Sequence, residues 1–159
     1  MNKYFGKYKG RVSSNTDELG RGRIKVTVDE ILETPTWAEP CVPYAAPGKG
    51  LLMVPPENGD VWVEFKEGDL QFPIWTGCFW SQPLSAPLTP IDPPATTKIL
   101  ALDGLTVKVN ESAAGATVEI TVGTSAVSVE VSPSGVTIDA QGSVSISGIP
   151  VTANGLEIK

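Results

Sequence analysis

Histidine is absent from this sequence, and cysteine occurs only at Cys41 and Cys78. The first absence removes the usual general base, the usual partner of a catalytic serine and the commonest transition-metal ligand. Carboxylate chemistry is not forbidden, but an enzyme of any kind is disfavoured. The two cysteines have no third cysteine nearby. They read as two buried thiols, and as a disulfide only if their strands are adjacent. Long apolar runs are missing as well. No 18-residue stretch suits a membrane span, and "MNKYFGKYKG" is basic but lacks the apolar segment of a signal peptide, so any export would use no standard signal. Positive charge is scarce: 12 Lys+Arg face 18 Asp+Glu, a formal charge of -6. That balance argues against a nucleic-acid binder. Finally, no aromatic residue follows Trp80, although the stretch Met53–Trp80 holds three of the four tryptophans and three of the four phenylalanines.

What is present divides the chain into two halves with different physics. Residues 1–82 read as a compact β domain. A strand begins at "GRVSSN", and "NTDELGRG" has the composition of a turn. In "RIKVTV", Ile24, Val26 and Val28 share one face while Lys25 and Thr27 take the other. "VWVEF" repeats the alternation, with Val61, Val63 and Phe65 against Trp62 and Glu64, and "FPIWTGCFW" returns after a hairpin around Gly68. Prolines 35, 40, 43, 47, 55, 56 and 73 interrupt every candidate helix. About five short strands suit a small barrel, whose closure removes exposed edges. Residues 83–95 follow as a linker, with five prolines among the twelve residues of "PLSAPLTPIDPP", extended and semi-rigid.

From residue 96 to 159 the composition shifts to Val, Ile, Thr, Ser, Ala and Gly. Apolar residues recur with period two: Val107 and Val109; Val118, Ile120 and Val122; Val127, Val129 and Val131; Val136 and Ile138; Val144 and Ile146; Leu156 and Ile158. Turn-like segments separate them at intervals near nine residues, a degenerate repeat. Such thin stripes are a poor basis for a monomer core. Full burial of a valine-sized side chain is worth about 1.5–3 kcal/mol, against roughly 1–2 kcal/mol of backbone entropy for each residue ordered. Several copies sharing one narrow core would solve the problem. An independent β-sandwich, or an extension of the first domain's sheet, fits the same pattern equally well.

Other features have plainer explanations. Asp29, Glu30 and Glu33 suggest a metal or acid–base cluster but sit in a solvated turn. Glu64, Glu67 and Asp69 straddle the hairpin, with no cleft to hold a sugar between two carboxylates. "GRGR", Gly20 to Arg23, lacks the ending of a phosphate-binding loop and reads as a tight turn. Trp37, Trp75 and Trp80 could stack on bases, but packing in the core or between subunits fits an acidic chain better.

The ordered blocks "YFGKYKGRVSSNTDELGRGRIKVTVDEI", "WAEPCVPYA" and "PPENGDVWVEFKEGDLQFPIWTGCFW" resemble the N-terminal oligonucleotide-binding-fold (OB-fold) domain of contractile-tail spike proteins. That family includes the baseplate assembly protein V type of tailed phages, the spikes of phage-tail-like injection systems and the VgrG proteins of type VI secretion. The resemblance covers residues 4 to 80. It implies an all-β homotrimer in which three OB-fold barrels form a collar and the C-terminal segments intertwine as a triple-stranded β-helix needle. Val107, Val109, Val118, Ile120, Val122, Val127, Val129, Val131, Val136, Ile138, Val144 and Ile146 are then the expected trimer core. The aromatics are expected to fill the barrel, with some at collar contacts.

The family further implies a structural baseplate spike that helps pierce a target membrane, with no cofactor and no nucleic-acid role. Its partners would be a hub or inner-tube protein at the barrel end and a PAAR-like tip protein at the C-terminal end. Residues Asn154, Gly155, Leu156, Glu157, Ile158 and Lys159 are the expected tip-docking segment. Without histidine, an iron-binding apex is not expected. The protein would be assembled in the cytoplasm and act as part of an extracellular or virion-like particle, in transient contact with the target membrane. The rival functions are a cell-wall hydrolase, an OB-type nucleic-acid module and a carbohydrate-binding β protein whose loop aromatics stack on sugars.

Overall fold

The computed structural model describes residues 2–88 and 93–144, together with the strand backbones of residues 152–153 and 156–157. The chain forms two compact units, residues 1–85 and 86–159. No described segment is α-helical, and no described helix is long and apolar enough to cross a membrane.

The first unit is built on β1 (Tyr8–Ser14), β2 (Ile24–Val28), β3 (Leu32–Pro40), a minor hairpin of β4 (Ala45–Ala46) and β5 (Lys49–Gly50), β6 (Asp60–Phe65) and β7 (Pro73–Cys78). Five of these close into a barrel in the order β1-β2-β3-β7-β6, with β6 returning to β1. All pairings are antiparallel except β3 with β7, which is parallel and brief. The alternation in sequence becomes an inward row: Ile24, Val26 and Val28 are buried, as are Val61, Val63 and Phe65. Val12, Ala38 and Trp75 complete the core, and Tyr4 and Tyr8 pack on Phe65 with ring centroids 6.3 and 5.5 Å away. A side chain at Gly10 would meet Val63 Cγ2 at 2.7 Å and the Thr27 carbonyl at 3.0 Å, so only glycine lets β1 approach this closely.

β3 runs through Pro35 and ends on Pro40. This is possible because it pairs with β2 along most of its length and touches β7 only through Glu39 and Pro40. The hairpin expected around Gly68 is present, turned by a short 3₁₀ segment, Lys66–Gly68.

The second unit is an antiparallel meander of β8 (Thr97–Ala101), β9 (Leu105–Ser112), β10 (Gly115–Val122), β11 (Ser125–Ser132) and β12 (Gly135–Ala140), in that spatial order. Two further short strands, β13 (Thr152–Ala153) and β14 (Leu156–Glu157), pair with each other. The meander is a single-layer sheet, neither a sandwich nor an extension of the barrel's sheet. Strands β9 to β12 begin at residues 105, 115, 125 and 135, so the repeat is ten residues rather than nine. Two-residue turns link them, and the Ser112 hydroxyl donates to the Gly115 carbonyl while accepting from the Ala114 amide.

Gly115 and Gly135 occupy equivalent repeat positions at φ +150° and +138°, but only at Gly115 would a Cβ meet a backbone oxygen, that of Val131, at 2.2 Å. Alanine at either site should bear a backbone penalty of about 1–3 kcal/mol, and Gly115→Ala must also displace β11. Thermal melts should therefore rank Gly115→Ala well below Gly135→Ala. Equal melting temperatures would show that the β10–β11 contact is looser than described.

Candidate functional site: an uncovered apolar face

Directly opposed residues of an antiparallel pair lie on the same face, so register decides which side chains meet. Val109 opposes Val118, Val118 opposes Val129, and Val129 opposes Ile138. Beside that row Leu100, Val107, Ile120, Val127 and Ala140 cross all five strands. Ala116, Val131 and Val136 form another row, as do Leu105 and Val122. The opposite face presents Thr106, Lys108, Thr117, Glu119, Ser128, Glu130, Thr137 and Asp139, with Lys108 opposite Glu119. The sheet is thus mainly apolar on one side and polar on the other; toward β8, Lys98 and Glu111 join the apolar side and Ile99 the polar side.

Among the described residues of this unit, no second layer covers the apolar side. Among the described residues of this unit no apolar side chain is buried; Val122 is 60% exposed and Val136 65%. Only Thr97 is buried, and its hydroxyl donates to the Asn110 side-chain carbonyl. At the rim, Lys98 and Glu111 lie 3.8 Å apart, both exposed, a pair worth little.

Ten of the twelve residues expected to face a shared core, from Val107 to Ile138, lie together on this surface. Val144 is exposed beyond the end of β12, and Ile146 lies outside the described residues. In the expected docking segment Leu156 and Glu157 form β14, while Asn154, Gly155, Ile158 and Lys159 lie outside the described residues.

The barrel surface resolves the remaining candidates. "GRGR" belongs to a loop organised by Asp17, whose carboxylate accepts from the amides of Leu19, Arg21 and Arg23 and from the Arg23 guanidinium at 2.7 Å. The Arg23 hydrogen bond, aided by those amides, holds this carboxyl well below the usual range. The same guanidinium lies 4.8 Å from the Trp37 ring centre, with Lys25 at 5.1 Å. Gly22 offers its carbonyl to the Trp75 indole N–H at 3.2 Å. This is a rigid turn with its donors already used, not an open phosphate cradle.

Asp29 and Glu30 form the turn after β2, with Glu30 at φ 63°. Glu33, early in β3, is exposed. Glu64 pairs with Lys7 at 2.7 Å, and Asp69 accepts from the Gln71 amide. Among the described residues no cluster of three potential ligands is placed to hold a metal ion.

Two expectations need correction. Cys41 and Cys78 are exposed and unpaired rather than buried, because both sit at strand ends outside the barrel interior; partial burial still pushes the Cys78 thiol up. Nor do the aromatics simply fill the barrel. Phe65 and Trp75 are inside, whereas Trp62 stacks on Phe79 outside at 4.6 Å, Phe72 is exposed, and Trp80 is 66% exposed. The barrel's interior is satisfied mainly by Val and Ile. Sequence reasoning also missed Asp17, whose only signal was an acidic residue opening a glycine-rich turn, and the apolar loop Leu51–Val54, all four residues of which are exposed.

A closed five-stranded barrel joined β1-β2-β3-β7-β6, with one parallel contact, has the topology of an OB-fold domain. Residues 8–80, the whole of the barrel, match the family described as the Type VI secretion system/phage-baseplate injector OB domain. No curated protein matches the chain. The match likens the barrel to a structural family of phage and secretion-system baseplates.

The register makes a sharp contrast between neighbours. Val129 sits amid the apolar rows, while Glu130, one residue along, faces Thr117 and Thr137 on the polar side. An aspartate at 129 would put an unpaired charge on the apolar face, where burial costs several kcal/mol. Val129→Asp should yield insoluble or dissociated protein and Glu130→Lys a nearly unchanged melting temperature. Matching melts for the two variants would contradict the assignment of faces.

Proposed function

We propose that the chain is the central spike of a contractile injection baseplate: a homotrimer whose barrels form a collar and whose C-terminal units wind into a triple-stranded β-helix needle. The observation that carries this reading is the uncovered Val/Ile face. A single-layer sheet bearing it is a poor monomer and a good component of a shared core. Moving a half-exposed valine or isoleucine to full burial gains on the order of 1 kcal/mol; Ile120, Val122, Val131, Val136 and Ile138 are exposed to that degree, and the other five of the ten, partly buried, would gain less. Small β-branched side chains suit the narrow interior that three chains would enclose, which accounts for a C-terminal half without aromatics. The injector OB family supplies the functional context.

In this reading the barrel end is held by a hub or inner-tube protein, and its exposed loop Leu51–Val54 offers an apolar contact for the collar. The C-terminal end, residues 154–159, docks a conical PAAR-like tip. The assembly drives the tip through the target membrane mechanically, with no catalytic step and no cofactor.

The reading is tested by light scattering coupled to size exclusion on the full chain. The expected mass is about 50 kDa, three times the 16.8 kDa protomer, unchanged on dilution to low micromolar concentration. A monomer at that concentration would overturn it.

A further inference from the structure

Beyond any role in assembly, the surface around Trp80 has the form of a ligand site. Trp80 is 66% exposed and stands between two depressions of about 340 and 290 Å³. Both are lined by Asp60, Phe79, Trp80, Ser81 and Gln82. The larger adds Lys9, Arg11, Thr27 and Asp29, and the smaller adds Pro55 and Pro56. Each volume is at the small end for ligand pockets, roughly 300–1,000 Å³.

The site is held in place from beneath. The Phe79 ring rests on Trp62, with Lys9 Nζ 5.7 Å from the Phe79 ring centre. The Phe79 amide donates to the Asp60 carbonyl, and the Val12 amide to that of Gly59. The Ser81 hydroxyl donates to Asp60 Oδ2, and Arg11 Nη2 lies 3.6 Å from Asp60 Oδ1. That distance is too long for a strong hydrogen bond, so both groups keep capacity for a ligand.

The charges decide the ligand class. Two cations, Lys9 and Arg11, face two carboxylates, Asp29 and Asp60, so the larger depression carries no net charge. Phosphate-rich polymers need a surplus of cations, and a metal ion needs converging carboxylates. A neutral polyhydroxylated ring needs neither. Its C–H face lies on an exposed indole, and its hydroxyls pair with planar polar groups at the edge, here Asp60, Arg11 and Gln82.

We propose that this surface binds a short neutral oligosaccharide, laid across Trp80 with a sugar ring in each depression. A spike that meets cell envelopes would thereby hold surface glycan while the tip engages.

The full-length protein is titrated with chitotriose, maltotriose, cellotriose and mannotriose, following indole fluorescence and heat. Saturable binding is expected for at least one of them. Trp80→Ala should weaken it by roughly tenfold or more, the equivalent of one lost aromatic stacking contact. Trp80→Phe should retain most of the affinity, and Trp37→Phe, at an indole that lines neither depression, should leave it unchanged. Inorganic phosphate should not compete. Three results would overturn the proposal: no saturable binding of any of these sugars at tens of millimolar, equal affinity in Trp80→Ala, or a change of oligomeric mass in Trp80→Ala, which would make the indole part of a protein interface.

Discussion

A β-sheet with one apolar face and no second layer is the constraint on which this molecule depends. The strands of the meander pair backbone to backbone, yet among the described residues none of the row Val109, Val118, Val129 and Ile138 is buried. Water is an unfavourable neighbour for such a surface, and a contiguous apolar patch on a soluble protein marks a place where something else belongs. The opposite face, with its threonines, serines and opposed Lys108 and Glu119, needs no cover.

The barrel solves the same problem alone. It closes on itself, so its apolar faces turn inward, and of its five strands only β3 keeps most of one edge unpaired. Valines and isoleucines do most of the filling, with Phe65 and Trp75 the large exceptions, and this frees other aromatics for the surface. Trp37 is used in a local stack with Arg23 and Lys25 that braces the Asp17 loop. Trp80 is not used in that way. It stands at the end of the barrel strands beside polar groups whose charges cancel, and this separates it from the aromatics that serve the fold.

Much of the architecture was legible in the residues. The alternations at Ile24–Val28 and Val61–Phe65 gave the correct inward faces because each strand is buried on one side only. The stripes after residue 105 gave the apolar side of the sheet because alternate residues of a strand share a face. Three things were hidden. β3 was obscured by Pro35 and Pro40, tolerated because that strand has little pairing on its second edge. The ten-residue register was blurred by turns of differing composition, Ala113-Ala114, Gly123-Thr124 and Pro133-Ser134, which share a length but no motif. The Trp75 contact joins residues far apart in the chain, and no local pattern announces it; the indole donor and its acceptor Gly22 are 53 positions apart. The exposure of Cys41 and Cys78 was misjudged because residue type predicts average burial, whereas strand ends set it here.

Backbone hydrogen exchange on the intact protein tests the central claim most directly. If the apolar face is covered by other copies, the amides of the central strands, Gly115–Val122 and Ser125–Ser132, should be protected for as long as those of Ile24–Val28 in the barrel core. If the face is bare, a single-layer sheet opens readily, and those amides should exchange within seconds to minutes while the barrel core stays protected. The second pattern would contradict the account.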